Sequence, residues 1–217
     1  MTAFLFRNRV DAGKKLAIAL KELKGSDLVI LGIPRGGVVV AAEVAKALGA
    51  PLDIVITRKI GAPGDPEYGL GAVTQEGEVF MDGQVAESLG VSKEYLDAQI
   101  KLKRDEVRER MKKFRGDVPY PDLEGKVVVI VDDGIATGSS VAAAVLSVKK
   151  RRPREIVVAV PVAPKETVES LARDGTRVVC LQTPAQFWAI GEFYEVFDQV
   201  EDEEVERVLE ENGPRET

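Results

Sequence analysis

Apolar positions along the chain fall into two patterns, solid short runs and longer stretches in which they recur every three or four residues. The solid runs are LVILGI (28–33), DIVITRK (53–59), VVVIV (127–131), IVVAVP (156–161) and RVVCLQ (177–182). Their length and β-branched content predict strands buried on both faces. The periodic stretches at 10–23, 38–49, 92–115, 139–152 and 165–173 predict helices. In the longest, which starts at Ser92, Leu96, Ile100, Val107, Met111 and Phe114 share a face. The Gly/Pro-rich IGAPGDPEYG (60–69) reads as a loop, and GAVTQEGEVFM (71–81) as a hairpin turning near Glu76 and Gly77. Strands alternating with helices predict an α/β fold, a mostly parallel central sheet with helices on both faces. In such sheets ligands bind at the carboxyl ends of the strands.

The tail breaks this rhythm. Phe187, Trp188, Phe193, Tyr194 and Phe197 crowd into eleven residues, followed by an acidic amphipathic helix. They form either a small second core or one wall of a cleft. The chain reads as one domain over 1–217, with 92–115 as a helical insertion and 183–217 as a C-terminal segment, both candidate hood elements.

Composition narrows the chemistry. The net charge of −6 argues against a nucleic-acid partner. The cations of 92–115 are interleaved with acids, as on a solvated helix face. No apolar run approaches the ~20 residues of a membrane span, and the first residues lack the apolar stretch of a signal peptide. One cysteine, Cys180, excludes an internal disulfide framework and fits a reducing, cytoplasmic setting. Histidine is absent, which removes Ser-His and Cys-His nucleophile pairs and the common zinc sites. Asp, Glu, Lys, Arg, Tyr and backbone amides remain.

The run VVVIVDDGIATGSS (127–140) concentrates such groups. It has no Walker lysine and no G-x-G-x-x-G spacing. A helix starting near Ser139 would let the amides of Gly134, Ile135, Ala136, Thr137, Gly138, Ser139 and Ser140 cup one phosphate. Asp132 and Asp133 would repel that phosphate unless they hold another part of the ligand. The hydroxyls of a ribose 5-phosphate meet that requirement.

The strand, acid pair and Thr-Gly loop resemble the 5-phosphoribosyl 1-pyrophosphate (PRPP) motif of type I phosphoribosyltransferases. Other segments follow in that family's order. GIPRGG (32–37) is similar to its pyrophosphate loop, so Pro34, Arg35, Gly36 and Gly37 would bind pyrophosphate, and the Pro34–Arg35 peptide is a candidate for the cis form. RKIGAPGDPEYG (58–69) resembles the mobile loop of adenine phosphoribosyltransferases. That likeness implies pyrophosphate contacts for Arg58 and Lys59, proton handling by Glu67 and a transition-state contact for Tyr68. The aromatic tail is similar instead to the hood of the hypoxanthine/guanine enzymes, which implies base stacking on Phe187 or Trp188. The two likenesses point to different bases, and the acceptor stays unassigned.

The resemblance implies transfer of ribose 5-phosphate from PRPP to a nitrogen of a nucleobase-like acceptor, with pyrophosphate released. Mg2+ would travel with PRPP, meeting Asp132 and Asp133 indirectly, and a homodimer would be usual. The alternative is a non-catalytic PRPP- or nucleotide-binding regulator on the same fold.

Overall fold

The computed structural model describes residues 5–81, 83–173 and 175–213, except for the side chains of 66, 67, 83 and 84. In chain order the elements are α1 (Arg9–Ala19), β1 (Leu28–Gly32), α2 (Gly36–Leu48), β2 (Leu52–Ile54), β3 (Thr57–Ala62), β4 (Asp65–Thr74) and β5 (Val79–Met81). There follow α3 (Gly83–Ser88), α4 (Lys93–Arg115), β6 (Val127–Val131), α5 (Ser139–Lys149), β7 (Glu155–Val162), α6 (Lys165–Arg173), β8 (Arg177–Gln182) and α7 (Asp202–Asn212).

Five parallel strands form the central sheet in the order β2-β1-β6-β7-β8. Their side chains divide with a period of two. Leu28 and Ile30 of β1, with Val127 and Val129 of β6, meet Leu16 of α1 and Val40 and Val44 of α2. Val29, Leu31, Val128 and Ile130 meet Val141, Val145 and Val148 of α5 on the other face. Both faces are covered, so neither sequence run needs a polar alternation. Each such side chain contributes roughly 1.5–3 kcal/mol on burial.

The expected strand 53–59 is split. β2 ends at Ile54, and β3 starts at Thr57 in a separate antiparallel sheet, β3-β4-β5. The stretch 60–69 is likewise not a loop but most of a hairpin arm. Ile60 pairs with Gly71, Gly61 with Gly69 and Ala62 with Asp65, with register shifts after Ile60 and Gly61. Those irregularities erase the period-two signal. Helix α1 is shorter than its sequence pattern, ending at Ala19 before a 3-10 turn at Lys21–Leu23.

The arm is tied at its β4–β5 turn. Glu76 accepts from Ser147 Oγ at 2.7 Å and from Arg151 at 3.0 and 3.1 Å, Lys150 pairs with Glu78 at 2.7 Å, and Arg104 donates to the Gly77 carbonyl at 2.7 Å. Val107 and Phe114 of α4 and Val205 of α7 pack with Ile60, Leu70 and Val73 of the arm. At the far end of α4, Arg115 grips buried Asp53 through both carboxylate oxygens at 2.7 and 2.9 Å. The tail packs as its own cluster, with Phe6, Phe187, Ile190, Phe193, Tyr194 and Phe197 against Val162. Cys180 is partly buried among apolar residues, and burial pushes its thiol pKa up.

Candidate active site

The sheet order reverses between β1 and β6, so the crevice at their carboxyl ends is the natural ligand position. The turn carrying Pro34–Gly37 leaves β1 there, and the loop after Val131 leaves β6 beside it. The Pro34–Arg35 peptide is cis. The two glycines that follow let α2 begin directly on the acid pair. A Cβ on Gly36 would lie 1.9 Å from Asp133 Oδ2, and one on Gly37 would lie 2.9 Å from Asp132 Oδ1.

Asp132 Oδ1 accepts from the Asp133 N–H at 2.9 Å. Burial, and then the adjoining Asp133 carboxylate, push the Asp132 pKa well above the usual carboxylate range. Asp133 has a partner the sequence does not reveal. Arg9 Nε donates to its Oδ2 at 2.7 Å, and the two side chains are only 12% and 13% exposed. Arg9 also donates to the Asp198 carbonyl at 2.7 Å and lies 3.9 Å from the Phe197 ring centroid. Tyr194 completes the joint, its hydroxyl donating to the Asp133 carbonyl at 2.6 Å. Burial and the Asp133 charge raise the phenol's pKa, which keeps it a donor. The first turn of α1 and the aromatic tail thus meet on one catalytic candidate.

The loop after the acids forms a cup. Among the described residues, the amides of 136–140 donate to no other group, and α5 starts at Ser139. Gly138 turns the chain with φ +82°, where an added Cβ would also strike Thr167 at 2.8 Å. Ile135 departs from its expected part. Its N–H donates to the Val162 carbonyl at 2.9 Å and its side chain is buried, so it anchors the cup and offers no amide to it. Gly134, Ala136, Thr137, Ser139 and Ser140 lie around it, with Thr137 and Ser139 hydroxyls 3.3 Å apart.

The basic residues divide. Arg35 and Arg58 line one cavity of about 420 Å³ with Pro34, Glu106, Glu109 and Arg110. Lys59 instead runs beside Gly69, whose added Cβ would stand 3.4 Å from its stem and 3.5 Å from Ser139 Oγ. Thr57 Oγ1 donates to the Ser140 carbonyl at 3.3 Å, a second tie between the arm and the cup. Tyr68 is exposed on the arm, with its N–H 3.3 Å from Asp65 Oδ1. The Glu67 side chain lies outside the described residues. Phe187 packs on Phe193 with centroids 5.2 Å apart, and Trp188 is 83% exposed. The aromatic residues that reach the acid pair are Tyr194 directly and Phe197 through Arg9.

A family model described as "Phosphoribosyl transferase domain" matches residues 5–196, which include the cup, the acid pair, Arg9 and Tyr194. The chain belongs to this family. Two Mycobacterium tuberculosis proteins, from strains CDC 1551 and H37Rv, are provisionally named phosphoribosyl transferases and are each 41% identical over 201 residues, 93% of this chain. That stretch is 45% of their length, so the chain spans about half of the curated relatives it matches. A solved Thermus thermophilus protein, TT1426, is 45% identical, with 96% of this chain and 99% of that one covered and a TM-score of 0.84. A Neisseria gonorrhoeae protein solved with ppGpp is 16% identical, with 97% and 98% covered and a TM-score of 0.51, a likeness of fold alone. The residues matched by the phosphoribosyl transferase model include the whole five-stranded parallel sheet and its crevice. No helix among the described residues is long and apolar enough to cross a membrane.

Proposed function

We propose that this chain transfers ribose 5-phosphate from PRPP to a nitrogen of a nucleobase-like acceptor, releasing pyrophosphate, in the cytoplasm. The observation that carries the reading is the contact of Gly36 and Gly37 with Asp133 and Asp132 at the crevice between β1 and β6. It sets a turn bearing Arg35 against an acid pair whose own loop forms an amide cup.

The 5-phosphate sits in the cup at the positive end of α5, held by amides of 136–140 and the hydroxyls of Thr137, Ser139 and Ser140. The ribose hydroxyls donate to Asp132 and Asp133. Arg35 and Arg58 draw the diphosphate away from C1, and the carboxylates' negative field favours the positive charge that develops on the ring. Mg2+ suits this donor set, since it favours carboxylates together with substrate phosphates. The ion would meet Asp132 and Asp133 through PRPP oxygens. When bound, it would neutralise diphosphate charge. The arm bearing Glu67 and Tyr68 excludes water from the reacting centre, and Glu67 handles the acceptor's proton.

The test is pyrophosphate release from magnesium-PRPP with and without each of a panel of purine and pyrimidine bases. Base-dependent release supports the transferase and names its acceptor. PRPP binding without release across the panel would replace this reading with the regulator. Phe187→Ala and Trp188→Ala, assayed with the accepted base, then test the stacking assignment through KM for that base.

A further inference from the structure

The cavity beside the cis peptide holds three arginines from three different elements. Arg35 comes from the turn after β1, Arg58 from β3 and Arg110 from α4. Their partners are peculiar. Asp202, the first residue of α7, places Oδ1 3.7 Å from Arg35 Nη1 and 3.8 Å from Arg110 Nη1. That oxygen is buried and accepts no hydrogen bond. Its sister, Oδ2, takes a proper one from Lys113 at 2.9 Å. Arg35 has a second long pair, with Glu201 at 3.6 Å, and neither the Arg35 nor the Arg110 side chain hydrogen-bonds any described residue.

A purely structural tie between α4 and α7 would look different. The pair between Arg115 of α4 and Asp53 of β2 closes to 2.7 and 2.9 Å with both oxygens bonded. At the cavity the guanidiniums crowd one another while a carboxylate stops short of them. Burial, and then the Arg110 charge, lower the Arg58 pKa. Of the two lining glutamates, Glu106 is only partly available to Arg58. Glu106 reaches Arg58 at only 3.4 Å and is shared with Lys103 at 2.7 Å. Planar guanidiniums with unused donors suit an anion with several oxygens, and a diphosphate supplies them.

Building on the transferase reading, we propose that Arg110 is a third guanidinium of the pyrophosphate subsite and that Asp202 is its built-in competitor, a carboxylate standing where a phosphoryl oxygen binds. The insertion helix α4 then serves the substrate directly. The acidic start of α7 holds Arg35 and Arg110 in place while the subsite is empty, and it weakens affinity when the subsite fills.

The test is calorimetric titration of inorganic pyrophosphate, with Mg2+ and without base or PRPP, into the wild-type chain and three variants. Arg110→Gln should bind about tenfold more weakly, the loss of one charge-assisted contact. Asp202→Asn, nearly isosteric, should bind roughly three- to tenfold more tightly, since it removes a like charge from the subsite. Glu201→Gln changes an exposed side chain, so it keeps the test open should Asp202→Asn fold poorly, and it should shift affinity the same way by less. Wild-type affinity in Arg110→Gln, or no gain in either acidic variant, would overturn the proposal, as would a wild-type chain that ignores pyrophosphate. The expected order of affinities without base-dependent release from PRPP would leave this inference standing and remove the transferase. Release without that order would do the reverse.

Discussion

Two buried arginine–aspartate pairs join distant parts of this chain, and they do so on different terms. Arg115 and Asp53 sit in the frame. Both carboxylate oxygens are bonded by the guanidinium, the Ile54 N–H adds a bond at 2.8 Å, and Arg115 also donates to the Val118 and Pro119 carbonyls. Arg9 and Asp133 sit at the crevice. There a second carboxylate adjoins the first, and burial opposes the ionisation of Asp132. The frame pair satisfies every charge it buries. The crevice pair has a further carboxylate beside it, which is what the proposed ribose site, with its cationic transition state, would require.

The contrast is broken most directly at the frame. Arg115→Met should destabilise the fold by about 3–5 kcal/mol, the cost of stranding a buried partner, read as a fall in the denaturant midpoint. PRPP affinity of the molecules that remain folded should not change. Arg9→Met should reverse that pattern. Its stability loss should be smaller, about 1–3 kcal/mol, because Asp132, whose pKa is already raised, can take up a proton once the cation is gone. Its PRPP affinity should fall at least tenfold, and Arg9→Lys should recover part of it. Equal stability losses in the two variants, with PRPP binding intact in Arg9→Met, would erase the distinction.

Asp132→Asn sharpens it through pH. The folded-state pKa of Asp132 is raised, so ionising it costs the fold stability as pH climbs from about 4, its unfolded value, through the folded one. Below about pH 4 both states are protonated and the cost is gone. Asp132→Asn should therefore be more stable than wild type at pH 7, within the roughly 0.5–2 kcal/mol of single stabilising substitutions. It should lose that advantage on acidification, and it should turn over no PRPP. Thermal melts at pH 4 and pH 7 decide it, and an equal difference at both would disprove the account. The smallest effect is expected on the arm, where Glu67→Gln should lower turnover while leaving PRPP binding nearly intact. Wild-type turnover there would remove the proton-handling assignment.

Legibility in the sequence follows the range of the forces. β1, β6, β7 and β8 are readable because strands covered on both faces need unbroken apolar runs. The cup is readable because a strand, an acid pair and a glycine turn are neighbours in sequence. The β4–β5 hairpin of the arm is readable from its turn at Glu76 and Gly77, but the β3–β4 pairing is not, since its glycines and register shifts hide pairing between backbones that composition reads as loop. Arg9 is invisible for a different reason. Its partner lies 124 positions away, and nothing around it in FRNRVD distinguishes a site cation from a surface one. Arg110 sits in a run of mixed charge that reads as solvated face, and only the fold reveals that it borders the same cavity as Arg35.

The Arg9–Asp133–Tyr194 joint also sets an order of assembly during synthesis. A ribosome delivers α1, then the β1–β6 crevice, and only 61 residues after Asp133 the tyrosine that grips it from the tail. Until that stretch emerges, the acid pair stands open on the side the aromatic tail will cover. A nascent chain stalled before residue 194 would thus carry the cup and the acids without their cover. Completion of the site therefore waits on the aromatic tail, the last part of it to be made.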